Sequence, residues 1–404
     1  MPRIRPAADP PPDGRPAEAP VLRFPTFEGL RALAAVAVLV FHAATFTTTL
    51  AGESRGPAEL GAWIQNLNVG VSLFFVLSGF LLFRPFVLAH LTGAAGPATR
   101  PYLLRRLVRI FPAYWVALFV SARVLSLDLG DAWSQLRYYA LLQIYSGDTV
   151  LGGLPHAWSL CTELSFYLFL PVWAAAMGRV GGTVERRARA HAVGLVAWYL
   201  VAVATRWCLR AGEHAIGYAT LPANTDLFAI GMALALAHSW ARATGRGPGR
   251  LLVRIGDRPG LAWSAAAASY LLAVSFRFPR DLRQPTVAQE LLHQALFGLI
   301  AGLIVATGVF GPQDRGWSRR VLRSWPVWAL GVVSYGVYLW HLTVIGRLSH
   351  HPELVGGPSL LPLTSWALLV TTAIAAASWF GLERPLLRRV RRRAQNRRSS
   401  RVGA

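Results

Sequence analysis

The sequence predicts an all-α polytopic membrane protein of about ten transmembrane helices, with both termini in the cytoplasm. Three observations lead there. Of the 404 residues, 54% are hydrophobic and only 15% are charged, with a mean hydropathy of +0.39, where an ordinary soluble domain carries about 25% charged residues. Apolar stretches of about 20 residues recur along the chain, each long enough to cross the hydrocarbon core of a bilayer. The 41 basic residues, every one an arginine, fall in short clusters between those stretches.

The chain opens with residues 1–25, rich in Pro and Arg and without an apolar run. That composition predicts a disordered cytoplasmic leader, not a secretory signal peptide. Apolar windows then follow at 29–49, 67–88, 110–127, 156–177, 191–208, 222–240, 260–276, 288–310, 327–347 and 362–382. With the leader inside, the inner segments collect 31 arginines and the outer ones nine. Cytoplasmic loops retain positive charge during insertion, so this asymmetry predicts an even number of spans. Residues 26–387 thus form one transmembrane domain, and residues 388–404 a basic tail suited to the anionic inner leaflet. The formal charge of +22 is thereby explained without nucleic acid, whose binding needs a basic face on a folded domain. Only Cys161 and Cys208 are present, both in apolar surroundings, which argues against a disulfide framework or a cysteine metal site.

A titratable side chain inside a span costs a few kcal/mol and is a functional-site hypothesis by default. The first pair is Arg31 and His42 in FEGLRALAAVAVLVFHA. Eleven residues are about 16 Å of helix and bring the second side chain back to within about 20° of the first. They share one face. Arginine offers fork-shaped donation to phosphate, and a neutral histidine can accept and return a proton near pH 7. A snorkelling arginine plus a packed interhelical histidine is the structural alternative. Glu163, in HAWSLCTELSFYLFLP, stands about as far from the outer end of its span as His42 does from its own. The two are expected to meet at one depth, where a carboxylate would fix the imidazole's tautomer.

Asp226 in PANTDLFAIG and His341 in SYGVYLWHLTV are further polar groups expected in the outer halves of their spans, either lining the same cavity or hydrogen-bonded for structure. At the cytoplasmic entry of the third span, RPYLLRRLVRIFPAYW carries Arg105, Arg106 and Arg109. Arg106 and Arg109 share a helix face, a geometry that suits a nucleotide phosphate as well as a positive-inside cluster. Cys161 reads as a small apolar filler. No HExxH, Gly-rich phosphate loop or GxSxG motif supports a metalloprotease, kinase or serine hydrolase, and no metal site is expected.

Taken together, these motifs resemble the integral-membrane acyltransferase 3 family, which acylates sugars, antibiotics and cell-envelope polymers. The resemblance spans about Thr26 to Pro385. It rests on the Arg31–His42 spacing, VGVSLFFVLSGFLL at 69–82, RRLVRIFPAYW at 105–115, WSLCTELSFYL at 158–168, SYGVYLWH at 334–341 and ERP at 383–385. Two positions depart from the family pattern: Ser72 stands where an acidic residue is usual, and Leu164 where a second acidic residue often follows the one matching Glu163. With no fused hydrolase-like domain in the sequence, the chain resembles the stand-alone branch of the family, some of whose members modify macrolides. The all-arginine, Ala-rich composition resembles that of a GC-rich, antibiotic-producing bacterium.

The resemblance implies an acyl-CoA donor, with acetyl-CoA expected, a hydroxylated acceptor that is a glycan or macrolide, and a multi-pass location in a bacterial plasma membrane. Arg31, Arg106 and Arg109 are then the donor-binding residues. The phosphorylated end of coenzyme A would stay near them while its pantetheine arm, with a reach on the order of that 16 Å, delivers the thioester to His42. His42 is the expected general base and Glu163 its orienting partner. Trp158, Ser159, Asp226, Tyr335 and His341 are candidates for the acceptor cavity. The competing class is a proton-coupled transporter or flippase of a sugar or lipid-linked substrate, since intramembrane His, Glu and Asp would also suit proton coupling.

Overall fold

A computed structural model describes residues 24–47, 58–212, 216–245, 249–276, 286–354 and 359–390, together with Arg392. The predicted leader and basic tail therefore lie outside the described residues except at their inner edges. Every regular element among the described residues is helical. The helices are α1 (Phe27–Thr45), α2 (Ala58–Gln65), α3 (Val69–Thr92), α4 (Thr99–Val124), α5 (Ala132–Tyr139), α6 (Trp158–Gly178), α7 (Val184–Ala211), α8 (Thr225–Thr244), α9 (Gly249–Asp257), α10 (Pro259–Ser275), α11 (Val287–Val309), α12 (Trp317–Arg323), α13 (Trp325–Val332), α14 (Ser334–Ser349) and α15 (Leu360–Ser378).

Seven helical stretches among the described residues are long and apolar enough to cross a membrane, or eight if α13 and α14 are counted as one broken span. Val172, Val193, Leu361, Leu369 and Phe380 point outward with more than half of their surface exposed. Apolar side chains turned away from a helical core belong against lipid, and helices satisfy their own backbone polar groups there. The chain is an all-α polytopic membrane bundle.

All ten apolar windows coincide with helices, with three differences. The windows at 222–240 and 260–276 become α8 and α10, which stand outside the seven: α8, at 20 residues, is less apolar than they are, and α10, at 17 residues, is shorter. For α8 the reason is packing: it is enclosed by α3, α7 and α11, with twelve buried residues from Thr225 to Ser239, so it has little lipid to match. The window at 327–347 is not one helix but α13 and α14, bent by 74°. Close packing accompanies the bend: Gly331 of α13 lies against the Glu28 backbone of α1, while Gly336 of α14 lies against Ala375 of α15. Finally, α4 begins at Thr99, eleven residues before its window, and carries Arg105, Arg106 and Arg109 on its first turns.

Close backbone packing holds the centre together. Gly79 of α3 rests on Phe228 and Gly231 of α8 rests on Val76, and a Cβ at either position would meet a backbone oxygen well inside contact distance. Without a hydrophobic drive between helices in lipid, such small-residue contacts are what bring them together. Two arginines counted above as loop charges are structural. Arg319 is buried and donates to the carbonyls of Thr307, Phe310 and Gly256 at 2.7–3.0 Å, closing helix C-termini whose carbonyls lack partners. Arg206 is likewise buried and pairs with Glu290 at 2.5 Å.

Candidate active site

Arg31, on the second turn of α1, donates through Nη1 to both carboxylate oxygens of Glu28 at 3.0 Å. A residue three positions back lies on the same helix face, so Glu28 aims the guanidinium. It points into a cavity of about 250 Å³ walled by α1, α3, α4, α6 and α14. Arg106 and Arg109 of α4 enter the same cavity, as do Ser78, Glu163, Tyr167, Ser159, Tyr335 and Tyr338. Three lining guanidiniums against one lining carboxylate leave a cationic surplus inside a low-dielectric bundle, where charge acts more strongly than in water. Arg106 is wedged between the rings of Tyr102 and Tyr167, at 6.0 and 5.9 Å from their centroids, which is cation–π range. Its Nε is buried without a partner. Glu163 accepts a 2.5 Å hydrogen bond from Ser78. This arrangement can bind an anion with several oxygens.

Further along α1, His42 meets α14. Its Nδ1 lies 3.0 Å from the Val38 carbonyl and 3.0 Å from Nε2 of His341. His341 Nδ1 lies 2.5 Å from the carbonyl of Tyr338. A carbonyl only accepts, so in neutral His341 the proton sits on Nδ1 and Nε2 is left as an acceptor. His42 must then donate from Nδ1, a role its contact with the Val38 carbonyl also requires. The result is a fixed tautomer: His42 carries its free lone pair on Nε2. His156 stacks edge-on against His341 with ring centroids 4.8 Å apart and bonds the Leu339 carbonyl at 3.1 Å. No three of the described His, Cys, Asp and Glu residues are placed to hold a metal ion.

Tyr338 joins the two regions. Its hydroxyl, on the cavity wall, donates to the His156 carbonyl at 2.7 Å and accepts from Ser159 at 2.7 Å. Its carbonyl holds His341. Arg31 lines a cavity that α14 helps to wall, and His42 contacts α14 directly.

Other expectations need correcting. Glu163 and His42 do not hydrogen-bond: Ser78 takes the carboxylate and His341 takes the imidazole, because α14 and not α6 packs against the outer part of α1. Asp226 does not line the cavity. It accepts from Gln294 at 3.1 Å, among α7, α8 and α11 on the far side of α3. Trp158 stacks edge-on against Phe75 with centroids 6.1 Å apart and stands behind the lining, while Ser159 and Tyr335 are part of it. His341 stands outside the lining, against His42. Cys161 is buried and donates to Ala157 at 3.3 Å, as a filler would. Glu28, Ser78, His156, Tyr167 and Tyr338 are site residues that motif reading passes over. Glu28 and Tyr338 each stand three residues before a residue already singled out, Arg31 and His341, and that spacing is the signal for both.

Fold and cavity define a class: a polytopic helical membrane protein with a cationic intramembrane cavity beside a neutral histidine pair. The chain belongs to the acyltransferase 3 family, whose profile, described as an acyltransferase domain, matches residues 24–382. It is similar to the putative peptidoglycan O-acetyltransferase YrhL of Bacillus subtilis, 26% identical over 90% of this chain and 54% of YrhL. It is similar to the acyltransferase MdmB of Streptomyces mycarofaciens, 26% identical over 88% of this chain and 87% of MdmB. The peptidoglycan O-acetyltransferase OatA of Listeria monocytogenes is 23% identical over 80% of this chain and 49% of OatA. The chain spans about half the length of YrhL and OatA and most of MdmB. No solved structure matches it.

Proposed function

We propose that the protein is a membrane O-acyltransferase that moves an acyl group, acetyl in the simplest case, from acyl-CoA to a hydroxyl of a glycan or macrolide acceptor. One observation carries the reading: a cavity with three arginines shares its α14 wall, through Tyr338, with a histidine whose acceptor nitrogen is fixed. Family membership and relatives named as O-acetyltransferases support the class of reaction.

In this reading Arg31, Arg106 and Arg109 hold the phosphates of coenzyme A by charge-assisted hydrogen bonds. Glu163, held by Ser78, spaces the arginines and limits their mutual repulsion. His42 removes the acceptor's hydroxyl proton through Nε2 as the oxygen attacks the thioester carbonyl. The tetrahedral intermediate collapses with cleavage of the carbon–sulfur bond, and the imidazolium returns the proton to the departing thiolate. His341 keeps His42 in the productive tautomer throughout. General-base assistance of this kind contributes about 10² to 10⁴ in rate. The arginine asymmetry of the sequence supports a bacterial plasma-membrane location with both ends and the donor cavity toward the cytoplasm.

The test is purified protein with acetyl-CoA and a panel of hydroxylated acceptors, followed by thiol release. Acceptor-dependent free thiol together with acetylated acceptor is the expected result. Substrate movement across proteoliposomes with no thiol released would replace this reading with a transporter.

A further inference from the structure

A cleft of about 720 Å³ lies between α9, α10 and α11 and shares no lining residue with the arginine cavity. Its two ends differ in character. At the junction of α9 and α10 the lining is Arg254, Asp257 and Arg258, all three exposed. Further along it is Leu261, Ala262 and Ala265 of α10 with Leu303 of α11, without a polar side chain. Leu261 leaves 63% of its surface open, so an aliphatic wall stands uncovered beside two exposed arginines.

The charged end is built on a fixed backbone. Gly256 of α9 lies against the Phe310 backbone, where a Cβ would have no room, and its carbonyl accepts from Arg319 at 2.7 Å. Asp257 and Arg319 attract each other, so the one carboxylate of the cleft already faces a counter-charge. The side chains of Arg254 and Arg258 have neither a hydrogen bond nor an ion pair among the described residues. Two guanidiniums are thus left without an anion. Depth adds a second constraint. The 17 residues of α10 make about 26 Å of helix, against a hydrocarbon core of about 30 Å. A helix this short draws its polar end toward the bilayer, which puts the guanidiniums at the level of lipid phosphates. The segment is also one that the arginine count assigns to the cytoplasmic side, where the leaflet is anionic.

We propose that this cleft holds an anionic glycerophospholipid of the inner leaflet, its phosphate against Arg254 and Arg258 and one acyl chain along Leu261, Ala265 and Leu303. The two-part lining separates the lipid from a free anion, since inorganic phosphate would use the guanidiniums and leave the aliphatic half uncovered. A zwitterionic lipid brings the same chains but offsets its phosphate with an ammonium group, so it gains less from two unpartnered guanidiniums. The site is independent of acyl transfer, and its test needs no substrate turnover.

The experiment equilibrates the full-length protein in micelles with equal amounts of palmitoyl-oleoyl phosphatidylglycerol and phosphatidylcholine, which share their acyl chains, and reads the retained lipid by native mass spectrometry. Phosphatidylglycerol should be retained at least about tenfold over phosphatidylcholine. The double change Arg254→Gln/Arg258→Gln should lower that preference at least about fivefold. Arg186→Gln/Arg189→Gln removes the same charge from exposed arginines of α7 and should leave the preference unchanged, which separates a built site from general attraction to a basic protein. Ala265→Trp, at an exposed position of the aliphatic wall, should weaken retention of both lipids at least about threefold. A large excess of inorganic phosphate should not displace phosphatidylglycerol. A preference that survives Arg254→Gln/Arg258→Gln, that falls equally with Arg186→Gln/Arg189→Gln, or that inorganic phosphate abolishes would overturn the proposal, as would retention indifferent to Ala265→Trp.

Discussion

Around Arg31 the bundle gathers three guanidiniums and a carboxylate about one cavity, whereas eleven residues further along the same helix His42 meets only neutral groups. Its neighbours are a backbone carbonyl, a second imidazole and the ring of Phe41. The difference separates two tasks that one site could not perform. A cationic pocket binds phosphate well, but an imidazole placed among its guanidiniums would resist taking up a proton. Beside a neutral partner that accepts its Nδ1 proton, the same imidazole keeps a usable lone pair. Distance along one helix keeps the two environments apart while the shared face keeps them in one reaction path.

The sharpest way to break the comparison is at the neutral end. His42→Ala should lower turnover by about 10² to 10⁴ with donor affinity unchanged, measured as acceptor-dependent thiol release beside an acetyl-CoA titration. A fall in donor affinity of the same size would merge the two regions into one. His341→Leu removes the acceptor that fixes His42, and turnover should drop about tenfold, with His341→Gln, whose side-chain oxygen can still accept, retaining more of it. Glu163→Gln keeps an oxygen that can accept from Ser78 but removes the charge. Donor KM should change by only a few-fold, in the direction of tighter phosphate binding, because one counter-charge is gone. Smallest is Ser78→Ala, which should alter donor KM by about twofold through loss of a single hydrogen bond.

Much of this fold can be read in the chain. A run of apolar residues long enough for a bilayer has almost no choice but a helix, because nothing else satisfies the backbone in lipid, and each of the ten apolar windows is helical, the one at 327–347 as two helices. The Arg31–His42 relation is equally legible, since two residues on one helix are related by its geometry alone. What an apolar window does not encode is how each helix is turned and which neighbour it meets. Glu163 and His42 stand at similar depths, yet only the bend at Val333, which swings α14 onto α1, decides that His341 and not Glu163 reaches the imidazole. Asp226 is the same kind of case: a buried carboxylate whose partner, Gln294, is set by the packing of α11 on α8. Arg319 reads as a loop charge because the sequence cannot announce that the carbonyls of Gly256, Thr307, Phe310 and Arg315 await it.

Acetyl-CoA titration of the wild type, Arg106→Ala and His42→Ala under one set of conditions tests most directly whether binding and proton transfer are divided between the two regions. The account predicts that Arg106→Ala weakens donor binding at least about tenfold and that His42→Ala matches the wild type. Equal affinities for all three proteins, or a loss confined to His42→Ala, would contradict it.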